Sequence, residues 1–104
     1  MSKTKSIKPL SEKELTHLAA RFKLLGEPMR LKILQSVCHK SRTVSEIVEA
    51  TASTQANVSK HLSLLATAGI LERKKERQFV YYGIKDKLVI QLCNLMREQL
   101  KNSY

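Results

Sequence analysis

The chain has 104 residues, 42% of them hydrophobic and 27% charged, which fits one small globular domain whose thin core gains from burying further surface in an oligomer. No apolar run approaches the ~18 residues of a membrane span. The opening 1-MSKTKSIKPLSEKE-14 stays polar where a secretory signal turns apolar, so the expectation is a soluble cytoplasmic protein. Nineteen Lys and Arg against nine Asp and Glu leave a net charge of +10; that field on so small a domain favours a polyanionic partner, above all nucleic acid.

Several functions are excluded early. Beyond the first quarter of the chain the aromatics are Phe79, Tyr81, Tyr82 and Tyr104, too clustered for a single-strand binder that stacks bases along a groove. Cys38 and Cys93 are too far apart for a metal finger and too few for a disulfide framework. There is no GxxxxGK[ST] loop, no GxGxxG and no HExxH, and no nucleophile stands beside a base. Neither catalysis nor a cofactor is expected.

Residues 1–10 read as a flexible basic tail carrying Lys3, Lys5 and Lys8, and residues 11–102 as the folded domain. Ser11 with Glu14 makes a capping box, and Leu15, Leu18, Phe22 and Leu25 give the helix that follows an apolar stripe ending at Gly26. Pro28 opens a second helix running through Cys38 or His39, with Leu31, Leu34 and Cys38 expected inside and Ile33 and Val37 beside them. A short third helix spans 43–51 with Val44, Ile47 and Val48 inward. After the break 51-TAS-53, Ser53 is the expected cap of a fourth helix, which Gly69 ends. Residues 70–74 and 79–84 are strand-like, joined by a charged turn at 73-RKKERQ-78. Val89, Leu92, Cys93, Met96 and Leu100 mark a last helix over about 86–101.

A short helix, a three-residue turn and a longer helix form a helix-turn-helix, and the hairpin after it is a wing. The fold class is therefore mainly α with a β-hairpin wing, in the order α-α-α-α-β-β-α. In the fourth helix Val58, Leu62 and Leu65 fall on one face, with His61 near it. The other face is small and hydrogen-bonding. A helix entering the major groove needs small residues near base edges, hydroxyls and amides to read them, and no acids between the flanking phosphates. Thr54, Gln55, Ala56, Ser59, Lys60 and Ser63 meet those demands, and no acid occurs from Ala52 to Leu71. A merely solvated helix would carry Glu among its Lys, and a fold used only for protein contacts would not need an acid-free face. In the wing, Arg73, Lys74, Lys75 and Arg77 outnumber Glu72 and Glu76 and suit phosphate or minor-groove contact.

The strings 24-LLGEPMRLKIL-34, 57-NVSKHLSLLATAGIL-71 and 79-FVYYGI-84, in that order, resemble the ArsR/SmtB family of winged-helix transcriptional repressors over about residues 12–101. The resemblance implies a homodimer joined through its first and last helices, and the apolar stripes of those helices, through Leu18, Phe22, Leu92 and Met96, need a partner surface that a monomeric core of this size does not supply. The resemblance further implies binding to a double-stranded operator palindrome, with release when an inducer binds. The family's recognition positions fall on Gln55, Ala56, Ser59 and Lys60. Its wing tip often carries Gly then Arg, where this chain has Arg77 then Gln78.

The resemblance also bears on what is sensed. One family metal site uses cysteines at positions occupied here by Thr43 and Ser45. Another uses positions that here are Asp86, Leu88, Gln99 and Asn102, of which only the Asp fits. One carboxylate per chain cannot hold zinc, so no metal site is expected, and the isolated His17 and His39 read as surface histidines. Some members sense oxidants or reactive sulfur through thiols on the second and last helices, which is where Cys38 and Cys93 stand. Both cysteines also lie on apolar faces, where a thiol is commonly an inert small hydrophobe. A thiol switch, inert packing and a metal or small ligand at an unrecognised site all stay open.

Overall fold

The computed structural model describes residues 6–102. Lys3 and Lys5 of the expected basic tail lie outside the described residues, and residues 6–10 belong to no helix or strand. The elements are α1 (Glu12–Leu25), α2 (Pro28–Val37), β1 (Arg42–Thr43), α3 (Val44–Thr51), α4 (Gln55–Thr67), β2 (Leu71–Glu76), β3 (Phe79–Ile84) and α5 (Lys87–Lys101). This is a winged helix-turn-helix with a three-stranded antiparallel sheet in the order β1-β3-β2.

Local chemistry sets most boundaries. Ser11 and Glu14 form the reciprocal capping box of α1, Pro28 opens α2, and Gly69 follows α4 at φ +78, a conformation open to a residue without Cβ. Thr43 and Glu46 make a second capping box, on α3.

The core joins Ile33, Leu34 and Val37 of α2 to Ile47 of α3, Val58, Leu62 and Leu65 of α4, Ile70, Leu71 and Val89. Each such side chain contributes about 1.5–3 kcal/mol on burial. Their convergence fixes α4 across α2 and α3.

Four expectations need correction. Leu31 is exposed and Cys38 only half-buried, because Ile33, Leu34 and Val37 turn the packed side of α2 toward α3 and α4; Cys38 is the C-cap rather than part of the helix. Thr54, not Ser53, caps α4 through its hydroxyl, which accepts from the Asn57 N–H at 3.1 Å. Ala52 takes a left-handed conformation with φ 54 to end α3, which moves the start of α4 one residue on. The hairpin turn is only Arg77 and Gln78, since β2 runs to Glu76 and pairs it with Phe79.

The last correction is β1, a two-residue strand with no pattern of its own in the sequence. It pairs Arg42 with Tyr82 and Thr43 with Tyr81. A Cβ at the buried Gly83 would run into the Ser41 hydroxyl, so glycine lets this approach close.

α1 and α5 are held differently. α1 buries no residue and α5 only Val89. The Arg21 guanidinium donates to the Ala68 carbonyl at 2.9 Å and to the Asp86 carboxylate at 2.7 Å, while Asp86 caps α5 by accepting from the Leu88 N–H. One side chain thus ties α1 to the end of α4 and the start of α5. The radius of gyration is 15.8 Å and the extents are 52 × 35 × 21 Å, against about 13 Å expected for a compact domain of this length.

Candidate nucleic-acid interface

α4 presents the face that the sequence suggests. Val58, His61, Leu62 and Leu65 are buried, and this anchors the helix so that Thr54, Gln55, Ala56, Ser59, Lys60 and Ser63 all face solvent. No acid stands in its first turn, so the positive end of the helix dipole there is unopposed. The Asn57 side-chain amide donates to the Ser53 hydroxyl at 3.0 Å, which fixes the turn that aims the helix.

Beneath that face, Arg30 of α2 donates from Nε to His61 Nδ1 at 3.1 Å and from its guanidinium to the Leu24 carbonyl at 2.9 Å. A guanidinium cannot accept, so Nδ1 carries no proton and His61 is a neutral imidazole. Burial pushes its pKa below the ordinary value; Glu27 acts the other way, and Arg30 and Lys60 lower it further. The sequence places His61 near the core, but nothing in it pairs His61 with Arg30.

The wing has two unlike faces. Side chains alternate along a strand, so Arg73 and Lys75 share the side of buried Leu71, opposite Tyr82 and Val80. Glu72, Lys74 and Glu76 lie on the other, opposite Gly83, Tyr81 and Phe79. Lys74 reaches Glu72 at 3.8 Å. One face is thus basic without an acid, and the other is mixed. At the tip Arg77 has φ 62, the left-handed region where glycine is at ease. Arg77 thus takes a backbone conformation that glycine adopts more easily.

Leu18, Phe22 and Met96 are exposed, and Leu92 is half-buried. Leu88 and Leu95, outside the four expected interface positions, are 67% and 70% exposed. With Leu15 and Leu100 also exposed, α1 and α5 each carry an apolar stripe that the described residues leave uncovered.

Cys38 and Cys93, remote in sequence, line one cavity of about 700 Å³ between α2 and α5. The Cys38 thiol donates to the Gln35 carbonyl at 3.1 Å. Among the described residues no group of three His, Cys, Asp or Glu side chains is placed to hold a metal ion, and Asp86 is engaged by Arg21. No helix of the described residues is long and apolar enough to cross a membrane.

This architecture has known relatives. The model of the bacterial regulatory protein arsR family matches residues 27–73. The chain is 36% identical over 76 residues to a probable mercury resistance operon repressor of Streptomyces lividans, a match covering 73% of this chain and 61% of that protein; this chain spans about three-fifths of that relative. It is 35% identical over 78 residues to an uncharacterised HTH-type transcriptional regulator of Methanocaldococcus jannaschii, covering 74% of this chain and 88% of that one. A solved homodimeric winged helix-turn-helix DNA-binding domain of Mycobacterium bovis, described as a possible ArsR-family transcriptional regulator, superposes with a TM-score of 0.73. It is 28% identical, with 91% of each chain covered. The chain belongs to the ArsR/SmtB family of winged helix-turn-helix transcriptional regulators.

Proposed function

We propose that this protein is a cytoplasmic, homodimeric repressor that binds a double-stranded operator through α4 and the wing and leaves it when an inducer binds. The observation that carries this reading is the exposed, acid-free face of a buried-backed helix beside an acid-free face of the wing. Gln55, Ala56, Ser59 and Lys60 meet base edges, Thr54 and Ser63 flank them, and Arg73, Lys75 and Arg77 take phosphates or the minor groove. Lys74 contributes less, since Glu72 beside it offsets its charge. The apolar stripes of α1 and α5, including Leu18, Phe22, Leu92 and Met96, meet a second copy. That arrangement sets two α4 helices side by side for two half-sites.

The test is operator binding to a fragment from upstream of the protein's own coding region, against a panel of single base-pair changes. Gln55→Ala is expected to lose about 1–3 kcal/mol of discrimination at one base position, and Arg73→Ala to weaken all sequences about equally. The same profile for both variants would refute the division into base and phosphate contacts.

The shared cavity favours a thiol switch as one route to release. Peroxide would take one sulfur through a sulfenic acid, and attack by the other thiol would close an S–S bond. Overall, two thiols and one peroxide give one disulfide and two waters. A disulfide needs Cα atoms within about 7 Å, so closure would fix the spacing of α5 and α2 at the two cysteines. Operator affinity should fall with peroxide in wild type and not in Cys38→Ser or Cys93→Ser; equal affinity of reduced and oxidised wild type would leave the cysteines as packing.

A further inference from the structure

The cavity that holds the two cysteines has a second character. Its walls are Leu31 and Leu34 of α2 and Ile90 and Cys93 of α5, with the amides of Gln35 and Asn94 between them. Around it stand Lys32, His39 and Arg97, and no acid lines it. Among the described residues, none of those three has a carboxylate partner. Its volume of about 700 Å³ lies within the ~300–1,000 Å³ usual for small-molecule sites. Leu31 is 42% exposed, an apolar surface left beside unneutralised charge.

We propose that this cavity binds an amphiphilic organic anion, with its hydrocarbon body against Leu31, Leu34 and Ile90 and its carboxylate or sulfonate between Lys32 and Arg97. The anion would act as an inducer, an assignment that rests on the repressor reading above. An acid-free cationic rim attracts the head group, and water released from the apolar walls holds the body. The site joins two elements with different tasks. α2 carries Arg30, which supports His61 under the DNA-facing helix, and α5 carries the Leu88 and Leu95 stripe toward the second copy. A ligand wedged between them changes the angle of one against the other. Two recognition helices at a fixed spacing tolerate little of that.

Decanoate is a suitable probe, with decanol as the uncharged control. Both are titrated into the full-length protein under reducing conditions, with binding followed by calorimetry and release of a labelled operator by anisotropy. Decanoate is expected to bind wild type at least tenfold more tightly than decanol does. It should also bind at least tenfold more tightly to wild type than to Lys32→Gln/Arg97→Gln, whose altered residues are both exposed. Asn94→Trp, which fills the cavity from an exposed position, should abolish binding with the charges intact. Equal binding of decanoate and decanol, or equal binding by wild type and either variant, would overturn the proposal. Decanoate that binds as expected but leaves the operator complex intact overturns the inducer role. Failure of ligand-free wild type to bind the operator strikes the repressor reading instead, and calorimetry still decides the cavity.

Discussion

His61 and Thr54 show how single side chains set the posture of α4. In the folded chain His61 Nδ1 accepts from Arg30, and burial holds its pKa below the ordinary 6.5. Below pH 6.5 the unfolded chain therefore binds more protons at this site than the folded one. The stabilisation is present above that pH and is lost as pH falls toward the folded value. The melting temperature of wild type is expected to drop between pH 7.5 and 5.5 more steeply than that of His61→Gln; parallel slopes would show that His61 is not the group responsible. The Thr54 cap offers a complementary test, because its hydroxyl takes the otherwise unpaired N–H of Asn57. Thr54→Ala should cost about 1 kcal/mol, measured by denaturant unfolding, whereas Thr54→Ser should be close to neutral. A Ser variant as unstable as the Ala variant would mean that the methyl group, not the cap, matters.

At the scale of elements, α1 and α5 carry the clearest unmet demand for a partner. Leu95 is exposed in the single chain, so Leu95→Glu leaves the protomer core alone yet buries an unpaired carboxylate in a dimer. Sedimentation should show a dimer for wild type at micromolar concentration and a monomer for the variant, with helical content retained; a variant dimer would remove Leu95 from the interface. Leu92 is a poorer probe, being half-buried within its own chain. The helices were largely legible because their signals are local: the Ser11–Glu14 box, Pro28, Gly69 and the Val58, Leu62, Leu65 spacing each act within a turn or two. β1 was not, since two residues at Arg42–Thr43 have no periodicity and exist only by pairing with Tyr82 and Tyr81. The shift of the α4 cap from Ser53 to Thr54 depends on the left-handed Ala52, a conformation that an alanine does not advertise. The candidate DNA-facing residues could be read from composition on one helix face. The sharing of one cavity by Cys38 and Cys93 could not, because it arises from the packing of α5 against α2. The unlike faces of the wing appear only once the register is known, which separates Arg73 from Lys74.

The whole molecule is small, elongated and charged at +10, and its proposed function depends on two copies acting on one duplex. Single changes in α4 test contacts, but the geometry of the pair tests the mechanism. With several phosphates neutralised per copy, log K should fall linearly with log salt, losing on the order of 10³-fold or more between 50 and 200 mM. Half-sites are expected about one helical turn, ~10 base pairs, apart or at a multiple of that, as the dyad of a helix-turn-helix dimer requires. The most direct measurement is anisotropy of a labelled operator duplex across that salt range, run beside duplexes with one half-site scrambled or with five base pairs inserted between the half-sites. The account predicts tight, steeply salt-dependent binding to the intact operator and a large loss for both altered duplexes. Equal affinity for all three, or affinity that does not change with salt, would contradict it.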